Sequence, residues 1–122
     1  MRSKCGCWSL MLMIFLGMAC AATVDVDLMR RRQYVSQHPE LSQKVKQAIL
    51  RGEIFLGMTR EQVEASWGKP HSINRSVGIW GTHEQWVYGY KKYYGAGVSG
   101  FVPTHYLYFE NGILTSWQEV GK

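Results

Sequence analysis

The chain has 122 residues, of which 46% are hydrophobic and 19% are charged. This balance is typical of one folded domain and excludes a disordered chain, because disordered proteins combine low hydrophobicity with high charge. The formal net charge of +5 falls to +3 once Arg2 and Lys4 are set aside, which is too little to indicate a nucleic-acid-binding protein.

The N-terminal segment predicts export from the cytoplasm. Arg2 and Lys4 precede an apolar run over residues 7–22, which is the order of a charged and then an apolar region in a secretory signal. The run falls short of the roughly 20 apolar residues that span a bilayer, so a secretory signal fits better than a transmembrane anchor. We therefore expect a signal sequence over residues 1–21 and a single exported domain over residues 22–122.

Two processing sites compete at the end of this signal. Small residues at positions 19 and 21 would let signal peptidase release a mature chain that begins at Ala22. The stretch Leu16-Gly17-Met18-Ala19-Cys20 also resembles a lipobox, whose cysteine carries the lipid. The first case predicts a periplasmic protein, and the second predicts a protein anchored at the periplasmic face of the outer membrane through Cys20. In both cases the domain has no internal disulfide, because all the cysteines lie in the signal segment: Cys5, Cys7 and Cys20.

Three helices are predicted in the first half of the domain, over Leu28–Gln37, from Pro39 to Gly52 and from Thr59 to Trp67. The third begins with a capping box, in which the Thr59 hydroxyl and the Gln62 amide satisfy backbone donors reciprocally. The first carries a run of three arginines, 30–32. This run fits either a solvated helix face or contact with anionic lipid headgroups.

From His71 onward the hydrophobic period changes to two. This period predicts antiparallel strands over Ile73–Ile79, Glu84–Tyr90, Tyr106–Glu110 and Ile113–Gln118. The Asn111-Gly112 pair indicates a tight hairpin between the last two strands, because both residues tolerate positive φ. The glycine-rich stretch from Lys91 to Thr104 lacks periodicity and is predicted to be a functional loop. The fold expected is therefore α+β, a two-layer sandwich with two to three helices on a three- to four-stranded antiparallel sheet.

The predicted hairpin divides its side chains between two faces. A two-residue turn pairs Tyr108 with Thr115 and Tyr106 with Trp117, which places Leu107, Phe109 and Leu114 on one face. Only one face of a small sheet lies against helices, so the other is predicted to bind a protein partner. Its members are Tyr106, Tyr108, Ile113 and Trp117, joined by Tyr93 and Tyr94 from the predicted loop. The alternative is that these aromatic side chains fill the core of a small domain.

The sequence carries no recognisable catalytic motif. Its histidines stand apart from metal-ligand spacing, and the domain has no Gly-x-Ser-x-Gly motif and no phosphate-cradling loop. These features predict a protein that is not an enzyme and needs no cofactor. If the chain were a small hydrolase, Glu84 and His105 would be the candidate catalytic residues.

Four motifs stand in an order that resembles the SmpA/OmlA (BamE-like) domain family. They are Gly57-Met58-Thr59 before a short helix, Trp67-Gly68-Lys69-Pro70, Glu84-Gln85-Trp86-Val87-Tyr88 and Leu107-Tyr108-Phe109-Glu110-Asn111-Gly112. The similarity covers about Ile49 to Trp117, and the helix with the three arginines departs from the family pattern. The resemblance implies a fold like that of β-lactamase-inhibitor protein. It also implies a small outer-membrane lipoprotein that supports assembly of outer-membrane β-barrel proteins or binds other envelope components.

Together these features lead us to expect a non-catalytic envelope binding module, tethered by lipid at Cys20, with an envelope protein as its partner. A soluble periplasmic inhibitor of an envelope enzyme is the first alternative. A small hydrolase is the second.

Overall fold

The computed structural model describes residues 23–121. The predicted signal sequence, both processing sites and the predicted lipid anchor Cys20 lie outside these residues. Within them the helices precede the strands in the order α1 (Val26–Gln37), α2 (Gln43–Arg51), α3 (Arg60–Trp67), β1 (Ser72–Gly78), β2 (Gly81–Gly95), β3 (Val98–Glu110) and β4 (Ile113–Glu119).

The strands form one antiparallel sheet in the order β1-β2-β3-β4, so that each strand pairs with its neighbour in the chain. The core consists of buried residues from both layers: Ile49, Met58, Val63, Ala65, Trp86, Leu107, Phe109 and Leu114. The predicted α+β fold, helices packed on an antiparallel sheet, is confirmed. Among residues 23–121 no buried side-chain nitrogen or oxygen lacks a hydrogen-bond partner.

Local capping signals fix where the helices begin. Thr59 and Gln62 form the predicted capping box, with the Gln62 backbone N–H donating to the Thr59 hydroxyl at 3.2 Å. The prediction that Pro39 opens the second helix is wrong. That helix begins only after Ser42, whose hydroxyl accepts a hydrogen bond from the Val45 backbone N–H at 3.3 Å and serves as its N-cap.

Two of the three arginines of α1 close the end of α3. Arg30 donates to the carbonyl oxygens of Ala65 and Ser66, each at 3.2 Å, and Arg31 donates to that of Ser66 at 2.9 Å. Carbonyl groups in the last turn of a helix lack intrahelical partners and carry partial negative charge, so guanidinium groups stabilise them. The predicted solvated face therefore does not describe Arg30 and Arg31, which contact the end of α3. Arg32 is exposed.

The predicted loop from Lys91 to Thr104 is instead a two-stranded arm. Pairing of β2 with β3 continues to Gly95 and Val98, and the turn between them places Ala96 and Gly97 at φ of 50° and 77°. The arm shows no alternation of polar and apolar residues because residues 89–99 are exposed on both of its sides. This missing alternation explains why the sequence pattern indicated a loop.

The predicted hairpin register holds for two pairs and then fails. Asn111 and Gly112 adopt positive φ as expected, and Phe109 pairs with Leu114. A β-bulge follows, so that Tyr108 pairs with Ser116 and Leu107 pairs with Trp117. Trp117 therefore lies on the helix side of the sheet with Leu107, and its predicted place on the opposite face is wrong.

Candidate functional site

The side of the sheet that faces away from the helices forms a continuous surface, which we call the open face. Along β2 the side chains alternate, so that buried Trp86 points toward the helices and its neighbour Gln85 points away. Cross-strand pairing extends this surface over all four strands. Its three rows are Ser72, Val87, Tyr106 and Gln118; Asn74, Gln85, Tyr108 and Ser116; and Ser76, His83, Glu110 and Ile113.

Hydrogen bonds join the middle row of the open face. The Asn74 side-chain amide donates to Gln85 Oε1 at 3.0 Å, and the Gln85 amide donates to the Tyr108 hydroxyl at 3.4 Å. At the bulge, the Thr115 hydroxyl donates to the Tyr108 carbonyl oxygen at 3.2 Å. These contacts hold the ring of Tyr108 in place on the surface.

A depression of about 450 Å³ lies over this row, and its lining also includes His83 and Glu110. Tyr106 and Tyr108 are both partly exposed. Tyrosine surrounded by serine, asparagine and glutamine is typical of protein-binding surfaces, because tyrosine gives large contact area at low entropic cost and the small polar groups adapt their hydrogen bonds. The open face is therefore suited to recognition.

The structure divides the predicted partner-binding residues among three places. Tyr106, Tyr108 and Ile113 lie on the open face. Trp117 lies on the helix side at the edge strand, where it is 39% exposed. The other two predicted members, Tyr93 and Tyr94, lie on the arm.

Tyr93 and Tyr94 do not join the open face. Along β2, Tyr93 stands six residues beyond Val87, a distance of about 20 Å at roughly 3.3 Å per residue. Both tyrosines are well exposed. The arm is thus a separate feature of the surface.

Sequence reasoning missed the polar members of the open face, above all Asn74, Gln85 and Ser116. The strand period around buried Trp86 carried the signal, since it places Gln85 on the side opposite to Trp86. Their neighbours across the sheet depend on register, which the sequence pattern of single strands does not supply.

Glu84, one of the two hydrolase candidates, is buried on the helix side. Arg60 and Arg75 donate to its Oε1 at 2.7 and 2.8 Å, and the indole N–H of Trp86 donates to its Oε2 at 2.9 Å. We call these four residues the Glu84 cluster. Burial raises the pKa of the Glu84 carboxyl, but the hydrogen bonds from Trp86 and the two arginines outweigh it, so that the pKa lies below its ordinary value.

The other hydrolase candidate, His105, lies away from Glu84. Glu84 pairs with Phe109, whereas His105 pairs with Tyr88, four residues further along β2. The His105 ring packs against Trp67 with centroids 5.0 Å apart. The structure therefore does not bring the two candidates together.

Two further findings concern residues 23–121, which are the residues that the structure describes. No three of their histidine, cysteine, aspartate and glutamate side chains are grouped so that they could hold a metal ion. None of their helices has the length and apolar character needed to cross a membrane.

No family model, curated protein or solved structure matches this chain.

Proposed function

We propose that this chain is a non-catalytic binding module of a bacterial cell envelope and that its open face receives a protein partner. One observation carries the proposal: the core cluster lies on the other side of the four-stranded sheet, and every side chain of the open face except Val87 is at least partly exposed. A sheet that buries one side and solvates the other is complete as a fold, so the open side is available for binding. Tyr106 and Tyr108 supply the aromatic contact area that dominates protein interfaces.

The proposed cellular location is supported by the sequence. Within residues 1–22 a charged region precedes an apolar region, which is the order found in an export signal. The motif order that resembles the SmpA/OmlA (BamE-like) family implies helices on an antiparallel sheet, and this chain has that architecture. We therefore propose a component of outer-membrane protein assembly, or another envelope protein, as the partner, with lipid at Cys20 as the tether.

The absence of catalysis is part of the proposal. Both carboxylate oxygens of Glu84 accept hydrogen bonds within the Glu84 cluster, and His105 lies on a different part of the sheet. A general acid or base needs a proton-accepting atom within reach of substrate. The depressed pKa and the engaged oxygens of Glu84 argue for a structural role instead.

Photocrosslinking in intact cells tests the proposed binding face. A photoreactive residue is placed in the full-length chain at Gln85 or at Ser116, and the control position is Gln47, which is exposed on α2. We expect a discrete crosslinked protein from the two open-face positions and none from the control. Equal yields from all positions, or no product from the open face, would contradict the proposal.

A double substitution then tests the two tyrosines. Tyr106→Ala with Tyr108→Ala is expected to abolish the crosslink from Gln85 while the protein still unfolds cooperatively. Tyr93→Ala on the arm is the matched control and is expected to leave the crosslink unchanged. A double variant that folds and still crosslinks at full yield would show that the tyrosines do not carry the binding.

Palmitate labelling separates the module from a soluble periplasmic inhibitor that uses the same face. Labelling that disappears in Cys20→Ala indicates the lipid-anchored module. A processed chain that takes up no palmitate indicates the soluble inhibitor.

A further inference from the structure

A second cavity lies on the helix side of the sheet, near the beginning of α3. Its volume is about 450 Å³, and it is lined by Arg60, Arg75, Val77, Thr82, Asn111 and Gly112. Thr82 pairs with Val77 across β1 and β2, two positions along each strand from the pair of Arg75 and Glu84, so that all four share one side of the sheet. The cavity is therefore separate from the open face.

This cavity carries a net positive charge. Arg60 and Arg75 both donate to the same oxygen of Glu84, whose side chain is only 2% exposed, while their own side chains are 37% and 55% exposed. Two positive charges against one negative charge leave one positive charge in excess. None of the six lining residues is acidic. An anion in the cavity would therefore meet uncompensated positive charge.

Glu84 also holds the two arginines in position. A guanidinium has five N–H donors in a rigid plane, and the single shared oxygen of Glu84 engages only part of them. Because the buried carboxylate already orders both side chains, a second anion would lose less conformational entropy on binding them.

Polar groups beside the arginines complete the cavity. The side-chain oxygen of Asn111 accepts a hydrogen bond from the Thr82 backbone N–H at 2.9 Å, which makes the amide nitrogen of Asn111 the group left to donate. The hydroxyl of Thr82 is a further donor. Apolar surface adjoins them, since the side chain of Val77 is 70% exposed.

From this arrangement we propose that the cavity binds a carboxylate of a partner polypeptide, either an acidic side chain or a chain terminus. The one excess positive charge equals the single negative charge of a carboxylate. Phosphate with two negative charges would remain partly uncompensated beside Glu84. The exposed Val77 side chain contacts the residues that flank the bound carboxylate.

Nuclear magnetic resonance tests the site directly on the full-length chain. Sodium acetate is titrated against sodium chloride at matched ionic strength and neutral pH. The signals followed are the side-chain N–H groups of Arg60 and Arg75 and the backbone amides of Thr82, Asn111 and Gly112. We expect saturable shifts at these groups with acetate and small, non-saturating shifts with chloride. Equal responses to both salts, or tighter binding of inorganic phosphate than of acetate, would overturn the proposal.

Short apolar peptides then distinguish the two sources of the carboxylate. One has a free C-terminus, a second has an amidated C-terminus, and a third is amidated but contains an internal glutamate. Binding of the first alone assigns a chain terminus, and binding of the third assigns an acidic side chain. If the fully amidated peptide binds as tightly as the other two, the carboxylate is not the recognised group.

Substitutions in the lining test whether the cavity is the site. Thr82→Glu places a negative charge in the cavity without removing a member of the Glu84 cluster, and Arg75→Gln removes one guanidinium. Each is expected to weaken acetate binding by at least about tenfold, because a hydrogen bond to a charged group is lost or opposed. Arg51→Gln changes an exposed arginine on α2 and is the matched control. Folded Thr82→Glu or Arg75→Gln protein that binds acetate as tightly as the control would contradict the proposal.

Discussion

Arg75 and Glu84 stand opposite each other as direct partners of β1 and β2, and the Arg75 guanidinium donates to the Glu84 carboxylate at 2.8 Å. Arg60, at the first position of α3, donates to the same oxygen. One buried carboxylate thus joins the helix layer to two strands of the sheet. Because this carboxylate is held in its charged form, the cluster links the stability of the fold to pH.

The stability of the protein is expected to fall in acid through Glu84. The pKa of Glu84 is lowered in the folded protein from an ordinary value of 4.5. Its contribution to the free energy of unfolding is therefore fully present above that value and is lost as the pH falls through the folded pKa. Urea unfolding followed by tryptophan fluorescence at a series of pH values measures this loss. Glu84→Gln is the control, and identical pH dependence in the two proteins would contradict the prediction.

At neutral pH, Glu84→Gln is expected to destabilise the fold. The substitution leaves two guanidinium groups beside a neutral amide, and breaking a buried ion pair costs about 3 kcal/mol in the free energy of unfolding. Glu110→Gln, at an exposed position of the open face, is the matched control and is expected to change this free energy by less than about 0.5 kcal/mol. Chemical denaturation measures both, and equal effects of the two substitutions would argue against a structural role for the Glu84 cluster.

The arginines of α1 are expected to differ in their effect on stability. Arg31→Ala removes the shorter of the two arginine hydrogen bonds to the Ser66 carbonyl oxygen at the end of α3, which lowers the free energy of unfolding by about 1–2 kcal/mol. Arg32→Ala removes an exposed neighbour of the same charge and is expected to have little effect. Thermal or urea unfolding compares the two variants. A loss of the same size in both would mean that net charge, rather than the helix-end contact, stabilises the protein.

Gly89 is expected to be required where the arm leaves the sheet. A Cβ atom at this position would lie 2.1 Å from the Val102 carbonyl oxygen and 2.9 Å from Pro103 Cα, both of which are backbone atoms. Gly89→Ala therefore forces the strands apart and lowers the free energy of unfolding by about 1–3 kcal/mol.

Gly100 offers the matched control within the arm. A Cβ atom there would lie 3.0 Å from the exposed ring of Tyr94, a side chain that has room to move. Gly100→Ala is expected to leave the midpoint of urea unfolding nearly unchanged. A midpoint for Gly89→Ala that equals that of Gly100→Ala would show that the close backbone approach is tolerated.

Face assignment on the sheet was predictable only in part. Strand alternation and a two-residue turn predict the same side of the sheet for Tyr106, Tyr108 and Ile113, and the structure places them together on that side. Trp117 does not, because one bulged residue in β4 shifts the register, and a shift of one residue moves a side chain to the other face. No feature of the sequence between Ile113 and Trp117 marks this bulge.

Short-range chemistry is what the amino-acid sequence determined by itself. The capping box of Thr59 and Gln62, the turn at Asn111 and Gly112 and the change of hydrophobic period near His71 each depend on residues a few positions apart. These signals were sufficient for the α+β fold and for the existence of its helices and terminal hairpin.

Tertiary structure decided the features on which the binding proposals depend. Arg31 meets Ser66 across 35 positions of the chain, and Arg60 meets Glu84 across 24. The arm and the bulge likewise depend on which strand lies beside which. Such contacts form only when the helices and the sheet pack together, and a charged side chain has the same local signature whether it faces water, a helix end or a buried carboxylate.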